Sequence, residues 1–185
     1  STQESPKHLY SQHGMFPVMF IAESEYGCQD TIIDSSTVLE VPQVSISVPA
    51  NGCENDTQTF VGTTSINSSN IASTNWYMNG SAFSNQPQSN FVFSDYGDYN
   101  ISFKATADNG CSAEDSSEIN IYSAPVISFT YDTVCVSSST QFYNNTFTTR
   151  NETVSNWEWD MQSDGLVDKT SSNPTFVFPQ GDTFL

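Results

Sequence analysis

Three carboxylates at four-residue spacing, Asp160, Asp164 and Asp168, are the side chains of this sequence best suited to chemistry. Carboxylate oxygens are hard donors, and the run from Asp160 to Asp168 is a candidate Ca²⁺ site. Its spacing is not that of an EF-hand loop, which needs ligands at alternate positions before the glycine. The competing reading is a hairpin turn at Ser163-Asp164-Gly165 with solvated carboxylates. Trp76, Trp157 and Trp159 are candidates for a sugar-stacking platform, although a Trp on the third strand of a β-sandwich is usually core. Trp157 and Trp159 fall on one face of a strand by alternation, which predicts buried or boundary positions for both. His8 and His13 are the two histidines, and His8 stands where the repeat described below has Phe91 and Phe176. The sequence offers no nucleophile–base–orienter set, so an enzyme is not expected.

The four cysteines, Cys28, Cys53, Cys111 and Cys135, are placed regularly: one before the second strand of a unit, one after its penultimate strand. Without a Cys-x-x-Cys or Cys/His cluster, this pattern reads as a disulfide framework made in an oxidising compartment. Two connectivities are open. Cys53 pairs with Cys111 inside one unit, or each cysteine pairs with one in a neighbouring unit.

Lys and Arg number 4 against 21 Asp and Glu, a net charge of −17. The clustered cations that nucleic-acid binding requires are missing. The apolar run Met15–Ala22 contains a proline and is far too short to span a membrane, so no membrane insertion is expected in this segment. A polar share supplied mainly by Ser, Thr, Asn and Gln suits an extracellular surface. An aromatic content of 13% supplies the means for a core.

These residues are positioned by a repeat of about 83 residues. Cys28 to Cys111 is 83, Cys53 to Cys135 is 82, Pro42 to Pro125 is 83, and Tyr10 to Phe93 is 83. Such a period is the mark of a domain array. It divides the chain into the C-terminal part of one unit (1–42), a complete unit (43–124) and the N-terminal part of a third (125–185). Alternation predicts the strands: Tyr99, Ile101, Phe103 and Ala105 on one face, repeated as Phe16, Val18, Phe20 and Ala22. Val44, Ile46 and Val48 alternate likewise, matched by Ile127, Phe129 and Tyr131. Asn79-Gly80 and Asp108-Asn109-Gly110 predict hairpins. About seven short strands per unit with an inward Trp predict an all-β chain of tandem immunoglobulin-like β-sandwiches in an extended array.

Trp157-Glu158-Trp159-Asp160, Asp164-Gly165 and Pro174-Thr175-Phe176-Val177-Phe178 resemble the signature of the polycystic-kidney-disease (PKD) domain family, and Gly97-Asp98-Tyr99 with Asn109-Gly110-Cys111 resembles its continuation. The middle unit departs from it, with Trp76-Tyr77-Met78-Asn79-Gly80. In the third unit the glycine shifts to Gly181, while Phe178 to Phe184 keeps the step of Phe93 to Tyr99. The Cys-bearing form is similar to arrays in large secreted surface proteins of Bacteroidetes-type bacteria, gliding-motility adhesins among them. The resemblance implies a structural or adhesive segment of a cell-surface or filament-forming protein. The alternative it implies is a spacer, or a carbohydrate- or protein-binding module, of a secreted hydrolase. Expected partners are neighbouring repeat units and a surface protein or polysaccharide. Asp30-Thr31-Ile32 and Asp132-Thr133-Val134 look like an O-glycosylation motif of that phylum, with Thr31 and Thr133 as acceptors. Six Asn-x-Ser/Thr sequons, from Asn55 to Asn151, are no more than a chain rich in these residues gives by chance.

Overall fold

The computed structural model of the chain describes residues 4–150 and 152–178. Gly181, Phe184 and the sequon at Asn151 lie outside the described residues. Those residues form strands, turns and loops with no helix, and none therefore crosses a membrane as a helix. Contacts gather the chain into two compact units. One takes Ser1–Ala50, Thr57–Phe91 and Asp98–Asn120; the other takes Asn51–Asp56, Val92–Gly97 and Ile121–Leu185.

The strands run β1 (Gly14–Glu23), β2 (Gln29–Val38), β3 (Gln43–Ser47), β4 (Asn51–Cys53), β5 (Thr57–Ser65), β6 (Ile71–Met78) and β7 (Ser81–Ser84). They continue with β8 (Gln88–Val92), β9 (Gly97–Ala107), β10 (Ser112–Tyr122), β11 (Phe129–Tyr131), β12 (Ser139–Asn144) and β13 (Thr175–Val177). A three-stranded sheet, β3-β5-β8, faces a five-stranded sheet, β4-β10-β9-β6-β7. This is the immunoglobulin-like β-sandwich that the alternation predicts.

Its core is aromatic and lies between the sheets. Phe60 on β5 meets Trp76 on β6 at 5.9 Å between ring centroids, and Trp76 meets Phe103 on β9 at 4.6 Å. Phe60, Trp76, Ile101, Phe103 and Ile119 are fully buried. The Trp76 indole keeps its polar edge satisfied by donating Nε1–H to the Gln86 carbonyl at 2.9 Å. Phe103 lies flat against the backbone of β5 because position 62 is glycine: a Cβ there would stand 2.5 Å from the ring. Both predicted turns form, Asn79 and Gly80 at φ 48° and 82°, and Gly110 at φ 86°.

β1 and β2 pair antiparallel from Gly14↔Val38 to Glu23↔Gln29. Alternation predicts one buried face for β1, and here the structure differs. Val18 and Phe20 are 46% and 64% exposed. Alternation reports which face a strand offers to a core, and a two-stranded sheet has no opposing layer to bury it.

In the second compact unit, β11-β12-β13 repeats the plan of β3-β5-β8. Phe129↔Asn144 in β11–β12 stands where Ile46↔Gly62 stands in β3–β5. β11 is shorter than the alternation from Ile127 predicts, and Phe129 and Tyr131 remain about half and two-thirds exposed.

Candidate functional site

The predicted calcium ligands are spent on their own backbone. Asp160 Oδ1 accepts the N–H of Gln162 and of Asp164 at 3.2 Å, and Oδ2 accepts the Gly165 N–H at 2.7 Å. Asp164 takes the Leu166 N–H at 2.9 Å, and Asp168 takes the Met161 N–H at 2.7 Å. The Gly165 N–H is the main cause of a lowered Asp160 pKa, with burial opposing it. Among the described residues no three His, Cys, Asp or Glu gather as a metal site. Asp160, Asp164 and Asp168 are each engaged by the backbone of their own segment. They fold a loop closed by the Trp159–Lys169 bridge.

All four cysteines are free, with Cys28, Cys53 and Cys135 exposed and Cys111 half-buried. The pairing Cys53–Cys111 is out of reach. The Ala50 carbonyl accepts the Asn120 N–H, and Asn120 is nine residues along β10 from Cys111, roughly 30 Å at strand rise. The three residues from Ala50 to Cys53 span at most about 11 Å, whereas a disulfide needs its Cα atoms within about 7 Å.

Trp76 is core. Trp157 and Trp159 are half-buried and line an open cleft of about 880 Å³, together with Phe129, Tyr131, Phe142 and Met161. Trp159 packs edge-on against Phe129 at 5.3 Å and donates Nε1–H to the Ser171 carbonyl at 3.0 Å, the counterpart of the Trp76–Gln86 bond. Thr31 is exposed on β2, its N–H bonded to the Asp30 carboxylate at 2.8 Å. Thr133 is exposed at the cleft. The neighbouring Asp132 accepts the Tyr143 hydroxyl at 3.1 Å, and this bond raises the tyrosine's pKa. His8 meets Tyr10 edge-on and Tyr10 stacks on Phe16, a structural cluster.

Two sets of contacts that sequence reasoning missed hold the predicted junctions. Glu40, in the first linker, accepts the Ser68 N–H at 2.7 Å and the Asn67 N–H and side-chain amide, each at 3.1 Å. Its own carbonyl takes Asn109 Nδ2 at 2.9 Å. The Ser68 hydroxyl leads the groups that hold the Glu40 carboxyl at about 2, against an ordinary 4.5, with burial pulling the other way. At the second linker the roles reverse. Ser123, 83 residues beyond Glu40, donates its hydroxyl to the Glu152 carboxylate at 3.3 Å. Burial raises the Glu152 pKa, and the hydrogen bonds it accepts outweigh that and leave it lowered. Glu54 adds a second hold, accepting the Ala124 N–H at 2.9 Å while its own N–H bonds the Tyr122 carbonyl. The sequence signal was weak: one acid near the first junction proline, and for the second only an acid in a loop whose position follows from the 83-residue period.

No protein-family model and no curated protein matches this chain. Among solved structures it is similar to the fibronectin(III)-like modules of Clostridium thermocellum CbhA, at 20% identity and a TM-score of 0.41. That likeness covers 44% of this chain and 99% of the other. It is also similar to SGBP-B of the Bacteroides ovatus mixed-linkage glucan utilization locus, solved with a mixed-linkage heptasaccharide. There the identity is 11% and the TM-score 0.38, over 80% of this chain and 42% of that one. The fold rests on the strand order and core described above, and these likenesses add nothing on ligand or partner.

Proposed function

We propose that this chain is a non-catalytic structural and adhesive segment of a long extracellular protein, of cell-surface or filament-forming type, built from tandem PKD-like sandwiches. The pair of tied linkers carries this reading. A tether meant to be loose would leave residues 40–42 and 123–125 solvated. Here the linker groups bond loop residues 27–29 positions further on, through Glu40–Asn67, Glu40–Ser68 and Ser123–Glu152. Proline follows at position 42 and again at 125, fixing φ and removing a donor. In this reading the exposed Cys28, Cys53 and Cys135 bond neighbouring units, and Thr31 and Thr133 carry O-glycans. The test is immunogold labelling of intact source cells, with negative-stain microscopy of the native protein. Surface label and rods of serial modules are expected; intracellular label or compact particles would overturn the reading.

A second reading, a carbohydrate-binding module or spacer of a secreted hydrolase, is favoured by the aromatic cleft around Trp157, Trp159 and Tyr131. Affinity electrophoresis in gels containing neutral polysaccharides checks it. Retardation by one polysaccharide, abolished in Trp159→Ala, supports it, and unchanged mobility in all of them sinks it.

A further inference from the structure

The two sheets of the middle sandwich end in four strand edges, β4, β7, β3 and β8. Three of them carry devices against further pairing. β4 and β7 are only three and four residues long, and the ladder that holds β7 is bulged between Trp76 and Tyr77. On β3 the Asp115 carboxylate caps the Ile46 N–H at 3.2 Å. Short strands, bulges and inward-pointing charges are how proteins blunt sheet edges. β8 has none of these.

The direction of its backbone groups follows from one bond. The Pro87 carbonyl accepts the Gly62 N–H of β5 at 2.8 Å. Both backbone groups of a strand residue point to one side, and the side alternates along the chain. Ser89 and Phe91 therefore also face β5, while Gln88, Asn90 and Val92 turn their N–H and C=O groups outward. Among the described residues those outward groups meet no partner. Pro87 lacks its donor on the inner side, so it does not interrupt the outer edge. Phe91 of β8 and Phe83 of β7 close the gap between the sheets at this edge, 5.3 Å apart and half-buried.

Charge selects the occupant. None of the 4 Lys and Arg or 21 Asp and Glu lies between residues 57 and 94, the stretch that supplies β5, β6, β7 and β8. Copies of a chain with net charge −17 repel where their carboxylates meet, and this edge brings none together. We propose that β8 pairs antiparallel with β8 of a second copy, about a two-fold axis at Asn90, so that the two β3-β5-β8 sheets become one. Asn90 stands opposite the second copy's Asn90, and Gln88 opposite its Val92. Each facing pair exchanges both of its backbone hydrogen bonds. The contact is isologous and closes at the dimer. An edge of five residues buries less than the roughly 1,200 Å² of a stable complex, so the dimer is weak and concentration-dependent. The proposal goes beyond the adhesive reading and does not rest on it, since the pairing uses the middle sandwich alone.

Sedimentation velocity and amide hydrogen exchange on the whole chain test it. Mass should rise to that of a dimer and no further as protein concentration increases, and NaCl should favour it by screening the remaining repulsion. At high concentration the amides of Gln88, Asn90 and Val92 should exchange more slowly, while those of Ser89 and Phe91, which face β5, should stay as they are. Asn90→Asp, at an exposed position, sets two carboxylates opposite each other across the axis and should weaken the dimer about fivefold or more. Mixed in equal amounts with Asn90→Lys, it should form a heterodimer tighter than the homodimer of either variant, because position 90 faces its own counterpart. A chain that stays monomeric at every concentration would overturn the proposal and leave the edge to an extended segment of another protein. So would a dimer that Asn90→Asp does not weaken, a heterodimer no tighter than both homodimers, or new protection on strands other than β8.

Discussion

The Glu40 carboxylate receives the Ser68 N–H at 2.7 Å, tying the residue that ends the hairpin segment to a loop 28 positions further on. Its carboxyl is held at about 2 against an ordinary 4.5. A folded-state pKa below the unfolded one stabilises the fold fully above the unfolded value, and that stabilisation fades as pH falls through the folded one. Glu40→Ala should therefore lower the melting temperature at neutral pH, and the gap to wild type should close between about pH 4.5 and pH 2. A gap that stays constant down to the lowest pH would mean the carboxylate charge is not what holds the loop.

Gly62 gives the sharpest packing prediction. Gly62→Ala places a methyl group 2.5 Å from the Phe103 ring, overpacking that should cost about 1–3 kcal/mol in urea unfolding. Trimming the ring in Gly62→Ala/Phe103→Leu should recover part of the loss relative to the two single changes added together. Strict additivity would show that the two residues do not share the contact.

How far this was legible in the sequence depends on the range of the interactions involved. The Asn79-Gly80 turn, the alternation of β9 and the burial of Trp76 follow from near neighbours and were all readable. The exposure of Phe20 was not, since it depends on a second sheet that a strand's own pattern cannot report. Met161 was readable only as an alternating neighbour of Trp159, yet it is among the best buried residues of the second compact unit. Glu40 carries no signal of its own in the sequence, because its partners lie 27 and 28 residues away and are ordinary Asn and Ser.

The acidic loop should ignore calcium. Titrating Ca²⁺ into the chain should give no saturable heat and no change in melting temperature. Asp160→Ala should speed hydrogen exchange at the amides of Gln162, Asp164 and Gly165, which lose their acceptor. Saturable Ca²⁺ binding that disappears in Asp160→Ala would contradict this account of the loop.

Under mild alkylation of the reduced chain, exposed Cys28, Cys53 and Cys135 should label before half-buried Cys111. Non-reducing digestion of the oxidised native protein should yield no Cys53–Cys111 peptide within one unit. Finding that peptide would require the β10 strand to be broken between Asn120 and Cys111.

The reversal of roles at the two linkers, Glu40 with Ser68 and Ser123 with Glu152, makes the order of units a matter of chemistry. A Glu40-type linker placed before a Glu152-type loop would set two carboxylates face to face. A Ser123-type linker before an Asn67-Ser68 loop would join with no charge at all. In the proposed array each module would fit the neighbour it has, and shuffling them would loosen the chain at its joints while leaving every sandwich intact.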